Sequence, residues 1–406
     1  MVSIIIFLAA ILLFIGLFTN TINTAIVYEQ HQGTATKCSD LLDSMLLNPG
    51  SPSSWGQSDV APSSFGVQDP EFTEYQLSAF SLMRLAASTG NLVEYDKTSN
   101  TMYTSVTNGA GAVLLTPNAQ ALNYTTALQL LGINGTYGFQ LSLTPDVTVT
   151  VKQANSNPPL SFSVSATGAG FPFAGASISY CLIMVTLGQT QAQYPSYKIL
   201  NGTALADQQG AASIVFPTVT QPNPIYAFIA YTHLDGIVGV GYTASTPTTD
   251  PTVVPIAQDM KTDSVALANS YDLNNSGSAG YPLKYNVTFV ISTQDYQLSE
   301  LSLGSGSSPG LVGTVTSGVS NPVPTISLPA SATGILIVTY QQSSTLGGVV
   351  MMPWGMSSLA FPVNFGGNPS RQSWVATDLR QVMIGDVAYQ AKLSLWSTKP
   401  IGVTGL

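Results

Sequence analysis

The sequence predicts an α+β fold that is mostly β, in which a long N-terminal α-helix precedes a β-rich head of two sandwich domains. Two observations lead to this prediction. The chain begins "MVSIIIFLAAILLFIGLFTNTINTAIVY", without a charged side chain before Glu29. From about residue 140, apolar and polar residues alternate in short runs separated by Gly, Pro and Asn, which is the pattern of strands in an all-β domain.

The N-terminal helix is predicted over residues 2–47. Residues 2–18 are apolar apart from Ser3 and Gly16, and the later half is amphipathic. The predicted apolar stripe recurs every three or four residues: Ile22, Ile26, Gly33, Cys38, Leu41, Leu42, Met45 and Leu46. The stretch "NPGSP" then ends the helix. At 1.5 Å per residue the helix would be roughly 70 Å long, more than any bilayer spans. The apolar run is also longer than that of a secretory signal.

The remaining chain divides by composition and period. We predict the long helix at 1–48 and an irregular post-helix segment at 49–139, with short helices at 78–88 and within 110–135. A first β-sandwich follows at 140–247, then a Pro- and Thr-rich linker at 248–261. A second β-sandwich is predicted at 262–406, because short strands separated by turn residues continue to the end.

The chain carries few charges. Only 8% of its residues are Asp, Glu, Lys or Arg, and the formal net charge is −9, from 20 acids and 11 bases. The bases are scattered, so the clustered Lys and Arg that nucleic-acid binding needs are missing from the sequence. A surface made of Ser, Thr, Gln, Asn and Tyr indicates an extracellular protein.

Two features bear on export. Five N-x-S/T sequons are candidate N-glycosylation sites: Asn123, Asn134, Asn201, Asn274 and Asn286. The two cysteines, Cys38 and Cys181, leave two readings open. They form one disulfide, as is common in exported proteins, or they are two buried thiols that behave as small apolar side chains.

The sequence offers little catalytic equipment. A triad reading of His233 and Asp235 is weak because two residues so close on an extended segment do not form that geometry. The acids Asp69, Glu71 and Glu74 are more typical of a turn than of a glycosidase cleft. The sequence lacks a zinc ligand pattern, the loop "DLNNSGS" (272–278) lacks the closing Glu of a calcium site, and "GSGSSPG" (304–310) lacks a phosphate-binding Lys. We therefore expect no enzyme activity, metal or cofactor.

The arrangement of the chain and several of its stretches resemble known proteins. An uncharged apolar helix that runs into an amphipathic helix and a β-rich head resembles archaeal type IV pilin-like proteins. "KCSDLLDSMLLNPGSPSSWG" and "SFGVQDPEFTEYQLSAFSLMRL" are similar to the helix exit and post-helix segment of large members of that family. "ADQQGAASI" resembles the D-x-x-G-x-A-x-[IV] turn of immunoglobulin-like modules in archaeal surface proteins, which implies that the sandwiches are immunoglobulin-like. The absence of an acid before Glu29 is more similar to archaeal than to bacterial pilins.

The resemblance implies a structural subunit of an extracellular filament. Identical subunits would form a helical homo-oligomer, with the helix inserted in the membrane before assembly and glycosylated β domains outside, serving adhesion. The assembly residues would be Ile4, Ile5, Ile6, Phe7, Leu8, Ile11, Leu12, Leu13, Phe14, Ile15, Leu17, Phe18, Ile22 and Ile26. The alternative is a surface protein for binding or adhesion that is held by a single membrane span and does not polymerise.

Overall fold

The structure is a computed structural model. It describes residues 2–58, 60–72, 74–88, 91–94, 102–107, 113–117, 121–155, 158–190, 193–245, 253–259, 264–269, 283–292, 297–301, 310–312, 324–329, 332–355 and 360–398. The fold is α+β and mostly β, as predicted: a long N-terminal helix is followed by a strand-rich head in several sheets.

The helices agree with the sequence prediction. Helix α1 runs unbroken over Val2–Leu46, and Pro49 together with Gly50, whose φ is +83°, prevents its continuation. Helix α2 spans Ala79–Ala87 and helix α3 spans Tyr124–Leu130. Ser78 and Asn123 cap α2 and α3 by accepting backbone N–H groups three residues on. Short 3₁₀ turns lie at Trp55–Gln57 and Pro369–Arg371.

The strands of the described residues fall along the whole head. In chain order they are β1 (Asn91–Glu94), β2 (Met102–Thr107), β3 (Val113–Pro117), β4 (Tyr137–Pro145), β5 (Val147–Asn155), β6 (Leu160–Gly168), β7 (Phe171–Pro172), β8 (Ser177–Thr186), β9 (Ser196–Leu205), β10 (Ala211–Phe216), β11 (Ile225–Leu234), β12 (Ile237–Ser245), β13 (Val253–Asp259), β14 (Ser264–Asn269), β15 (Leu283–Ser292), β16 (Leu298–Leu301), β17 (Gly310–Val312), β18 (Thr325–Ser327), β19 (Gly334–Gln341), β20 (Gly347–Trp354), β21 (Val363–Gly366), β22 (Ala376–Ile384) and β23 (Val387–Ser397).

These strands form four sheets within the described residues. An eight-stranded sheet has the order β21-β4-β23-β12-β11-β8-β9, with β22 paired to β23. A smaller sheet has the order β10-β6-β5, with β7 on β6. A third has the order β16-β15-β19-β20, with β17 on β15, and the fourth has the order β1-β2-β3-β13-β14-β18.

The region 147–245 is an immunoglobulin-like sandwich. The sheet β10-β6-β5 packs on the β9-β8-β11-β12 part of the large sheet, which is the two-sheet arrangement of that fold. Phe162 and Phe228 stack in its core with ring centroids 4.2 Å apart. The turn of "ADQQG" before β10 is held by Asp207, whose carboxylate accepts the N–H groups of Gln209 and Ala211 at 2.9 Å.

Strands β8 and β11 are buried on both faces. On β8, Leu182 faces the sandwich core, whereas Cys181 and Ile183 face a second core shared with β19 and β20. Neighbouring residues of a strand point to opposite faces, so both faces of this sheet lie in apolar surroundings. This explains why "CLIMV" and "YAFIAY" read as continuous apolar runs rather than as alternating ones.

The predicted domain boundaries differ from this topology. Strands β21, β22 and β23 belong to the predicted second sandwich (262–406), yet they join the large sheet next to β4 and β12. The predicted linker at 248–261 contains β13, and the predicted irregular segment at 49–139 contains β1, β2 and β3. Alternating sequence predicts that a strand exists, but it does not identify its partner, because any strand with the same period can pair with any other.

Candidate assembly surface

The N-terminal half of α1 is bare. Each of the predicted assembly residues exposes between 38% and 68% of its surface, and they point in every direction around the helix. No described part of the chain covers them. The helix is long and apolar enough to cross a membrane, on length and composition alone. A helix that is apolar on all sides is stable only when lipid or protein surrounds it.

Four threonines of α1 donate their hydroxyls to carbonyls of the same helix. The hydroxyls of Thr21 and Thr24 donate to the carbonyls of Leu17 and Asn20 at 2.9 and 2.8 Å. Thr34 and Thr36 bond in the same way to Gln30 and Gln32, at 2.8 and 3.2 Å. Such bonds let a hydroxyl enter an apolar environment without an unpaired donor. The polar stretch "TNTINT" is therefore compatible with a dry environment at these threonines.

The C-terminal half of α1 is docked on the head. Thr34, Cys38, Leu41, Leu42, Met45 and Leu46 are buried, and the helix packs on β22 and β23. The thiol of Cys38 donates towards the carbonyls of Leu393 and Ala376, with S···O distances of 3.5 and 3.7 Å. This burial joins helix and head into one body.

The predicted apolar stripe is correct in the docked half and wrong further out. Ile22, Ile26 and Gly33 are exposed, whereas Val27 and His31 are half-buried and Thr34 is buried. The observed stripe is therefore rotated relative to the predicted one. The prediction followed the largest apolar side chains, but the head selects the face that its own surface can cover, and there it contacts His31 and Thr34.

A polar cluster beside the docked half fixes the helix against β22. The guanidinium of Arg380 donates to Asp43 at 2.9 Å, to Ser39 Oγ at 3.0 Å and forms a second ion pair with Asp378 at 2.9 Å. Tyr75 OH donates to the same Asp43 at 3.2 Å. Sequence reasoning missed this cluster. The local signal was the pair of opposite charges Asp378 and Arg380 in strand β22, whereas the partner Asp43 lies 337 residues away.

Charge pairing shifts the pKa of two groups in this cluster. The hydrogen bonds that Arg380 donates to Asp43 and Asp378, together with the negative charge of Asp378, raise the pKa of Arg380 and outweigh its partial burial. The pKa of Asp378 lies below its usual 3.8: partial burial acts to raise it, but hydrogen bonds from Ser39, Leu379 N–H and Arg380 lower it by more. Both groups are therefore held in their charged forms.

The segment after α1 supports the helix end. The carbonyls of Met45 and Asn48 accept the N–H groups of Val67 and Gln68, at 2.9 and 3.1 Å. Trp55 is fully buried and its indole N–H lies 2.9 Å from the carbonyl of Gly66. The chain thus folds back along the helix exit immediately after leaving it. This arrangement holds the last turn of α1 from a second side.

The sequons differ in accessibility. Asn123, Asn134 and Asn201 are exposed, although Asn201 lies in edge strand β9 rather than in a turn. Asn274 lies outside the described residues. Asn286 is a correction: it is buried in β15, and its amide nitrogen donates to the carbonyl of Pro195. A glycan needs an exposed amide, and this one is enclosed between neighbouring strands.

The disulfide reading is also corrected. Cys38 and Cys181 are both free and buried, which is the second of the two alternatives. Cys38 lies against β23, and Cys181 is on β8, three strands away in the same sheet. Strands about 4.8 Å apart place β8 roughly 14 Å from β23, whereas bridged Cα atoms lie within about 7 Å. Burial raises the pKa of Cys181 to about 12.

The weaker chemical candidates are dispersed. Asp235 and Gly236 form the two-residue turn between β11 and β12, and both have a positive φ, as a type I′ hairpin requires. The turn by itself therefore explains why an Asp occupies position 235. Asp69 and Glu71 line an open cleft of about 410 Å³ with Asp386. Glu74, at φ +55°, is in the adjoining turn. Among the described residues, His, Cys, Asp and Glu form no group that could hold a metal ion. The loops 272–278 and 304–310 lie outside the described residues, apart from Gly310.

Comparisons with known proteins leave the chain without a family assignment. No protein-family model and no curated protein matches it. Trypsin-activated α2-macroglobulin from Escherichia coli is similar at 11% identity over 58% of this chain and 18% of that chain, with a TM-score of 0.21. Salmonella α2-macroglobulin reacted with methylamine is similar at 12% identity over 71% and 21%, with a TM-score of 0.22. Red sea bream transglutaminase is similar at 10% identity over 62% and 37%, with a TM-score of 0.17.

The chain spans between 18% and 37% of the length of these structures. Similarity at TM-scores this low carries no argument about what the chain does. The features of this chain that bear on its function are α1 and the attachment of α1 to the head.

Proposed function

We propose that this protein is a structural subunit of an extracellular filament of the type IV pilus kind. Its α1 helices pack into the filament core, and its glycosylated β domains form the outer surface. Before assembly, the helix is inserted in the membrane. Filament formation then transfers the bare half of α1 from lipid into contact with the same segment of other copies.

One observation carries this proposal: the bare apolar half of α1 continues without a break into the half that is docked on the head. Because the docked residues are buried and ion-paired, the bare half projects as a fixed rod rather than as a loosely tethered segment. Copies of such a rod can bury one another on every side. A subunit with this shape can form a core of helices with heads outside.

The composition of the head supports an outer position. The surface is rich in Ser, Thr, Gln and Asn and carries few charges. Three sequons, at Asn123, Asn134 and Asn201, are exposed and are proposed to carry N-linked glycans. A hydrated surface of this kind keeps neighbouring heads soluble and suits contact with extracellular targets. We propose adhesion as the role of the filament on this basis.

A single-span anchor is the second candidate, favoured by the length of the bare segment. Residues 4–26 measure roughly 34 Å as a helix, close to the hydrocarbon core of a bilayer at about 30 Å. In that case lipid would surround the bare half permanently. The head would then act as a monomeric binding or adhesion module at the cell surface.

Shearing experiments separate the two candidates. Surface appendages are sheared from cells, pelleted, imaged by negative-stain electron microscopy and digested for peptide mass mapping. The filament proposal predicts that the pellet contains filaments and that peptides from residues 4–47 are recovered from it. Recovery of the protein only from detergent-solubilised membranes, with no filaments in the sheared fraction, would favour the anchor.

A further inference from the structure

The side of α1 that packs on the head continues along the bare half of the helix. On the docked half, the covered positions include His31, Thr34, Cys38 and Leu41, spaced by three and four residues. The same spacing, continued towards the N-terminus, reaches Val27, Asn23 and Asn20. Asn23 and Val27 are half-buried, whereas Asn20 is exposed, as are residues 21, 22 and 24–26. The face is therefore one continuous line along α1, and Asn20 and Asn23 lie on its bare part.

Asn20 and Asn23 differ from the threonines beside them. Thr21 and Thr24 donate their hydroxyls to carbonyls of their own helix. Within the described residues, neither asparagine side chain has a hydrogen-bond partner. A primary amide is both donor and acceptor, so two of them are complementary to each other. In apolar surroundings an amide strongly favours such a partner, because an unpaired one is costly.

We infer that this line is a docking face for a second copy of the chain, with Asn20 of one copy bonded to Asn23 of the next. The inference rests on the proposed filament. In an open helical array each copy is displaced along the axis from its neighbour, so a residue does not face its own equivalent. Two amides three residues apart meet when parallel helices are displaced by about 4.5 Å.

The second copy is the occupant that the line favours. The line is continuous with a face that already packs helix against protein, and Gly16 lies four residues before Asn20 on the same line, with nothing within 4 Å of where a Cβ would stand. Small residues let helices approach closely in apolar surroundings. A single polar pair inside an apolar helix contact fixes register, because every other register leaves both amides unpaired.

Cysteine cross-linking tests this register. Asn20→Cys and Asn23→Cys chains are produced separately and co-expressed in cells that export the protein, and filaments are treated with a mild oxidant. The matched control pair is Thr21→Cys and Thr24→Cys, which are also three residues apart but lie off the line. Wild-type protein measures the background, since Cys38 and Cys181 are buried. Dimers are scored on non-reducing gels.

The inference predicts several-fold more dimer from the Asn20→Cys and Asn23→Cys mixture than from either chain alone or from the Thr21→Cys and Thr24→Cys mixture. Strong self-cross-linking of Asn20→Cys alone would overturn it, because that indicates a closed parallel oligomer without displacement. Equal dimer from both mixtures would also overturn it. In either case intact filaments would leave the proposed function standing, whereas a wild-type chain that forms no filaments would refute that function.

A substitution without cysteine provides a second test. The single variant Asn20→Ala leaves the Asn23 amide of the neighbouring copy without its partner and is expected to reduce filament yield, while Thr21→Ala keeps it, because that hydroxyl is satisfied within the helix. Membrane levels of each variant check that the chain is made and inserted. Wild-type filament yield from the asparagine variant, with normal subunit spacing, would contradict the inference.

Discussion

His31 of α1 stacks flat on Trp374 of the head, with ring centroids 4.1 Å apart and ring planes within 5°. The pair lies where the docked half of the helix gives way to the bare half. Beyond it, towards the N-terminus, α1 is largely exposed. The stacking therefore marks the boundary between the part of α1 that belongs to the head and the part that remains for other molecules.

A charge in the bare half should stop assembly and leave the head intact. We expect Leu13→Lys or Phe14→Lys to abolish filaments, because an unpaired ammonium in a dry bundle is costly. The matched control is Leu379→Lys, which places the same charge at an exposed position of the head. Filament yield from sheared cells is the measurement, and thermal unfolding checks the head. Normal filaments from Leu13→Lys would refute the core-packing role.

Replacing a large side chain by Ala should have different effects in the two halves of α1. Leu42 is fully buried, so Leu42→Ala should lower the free energy of unfolding of the detergent-solubilised chain by about 2–5 kcal/mol. Ile22 is 43% exposed, and Ile22→Ala should change it by less than about 0.5 kcal/mol while reducing filament yield. Denaturant unfolding measures the free energy of unfolding of both variants. Equal destabilisation by both changes would contradict the division of the helix.

The ion-paired cluster should make the attachment of α1 to the head weaker at low pH. The pKa of Asp378 is lowered below its usual 3.8 in the folded chain. Its contribution to stability is therefore full well above pH 3.8 and is lost as the pH falls through the lowered value. The difference in unfolding free energy between wild type and Asp378→Asn should be constant above about pH 5 and should shrink in stronger acid. A difference independent of pH would show that the charge of Asp378 does not matter.

The sequons should differ in occupancy. Glycopeptide mapping of protein from its native cells should find Asn286 unmodified, since its amide is buried and donates to Pro195. Asn134 lies in an exposed turn and is the site expected to be occupied most readily. An Asn134→Gln variant should therefore lose mass while an Asn286→Gln variant does not. A glycan on Asn286 in folded protein would contradict the observed packing of β15.

Local pattern predicted the elements well. The unbroken apolar run and "NPG" defined α1 to within a residue, and helix α2 followed from its apolar spacing. The immunoglobulin-like sandwich at 147–245 lies inside the predicted 140–247. These features depend on neighbouring residues, which the sequence displays directly.

Long-range partners could not be predicted in the same way. Arg380 meets Asp43 only because β22 returns to the N-terminal helix, and the sequence does not encode that return in any local period. The same holds for the rotated stripe on α1, where the head determines which face is covered. The buried state of Asn286 likewise depends on strands on both sides of β15, which a three-residue sequon does not reveal.

Cryo-electron microscopy of filaments sheared from wild-type cells tests the central claim most directly. The account predicts a helical map in which residues 4–26 of α1 are enclosed by the same segment of neighbouring copies, with the head outside and β22 still docked on residues 34–46. A map in which the bare half of α1 is absent, or contacts no other copy, would contradict it.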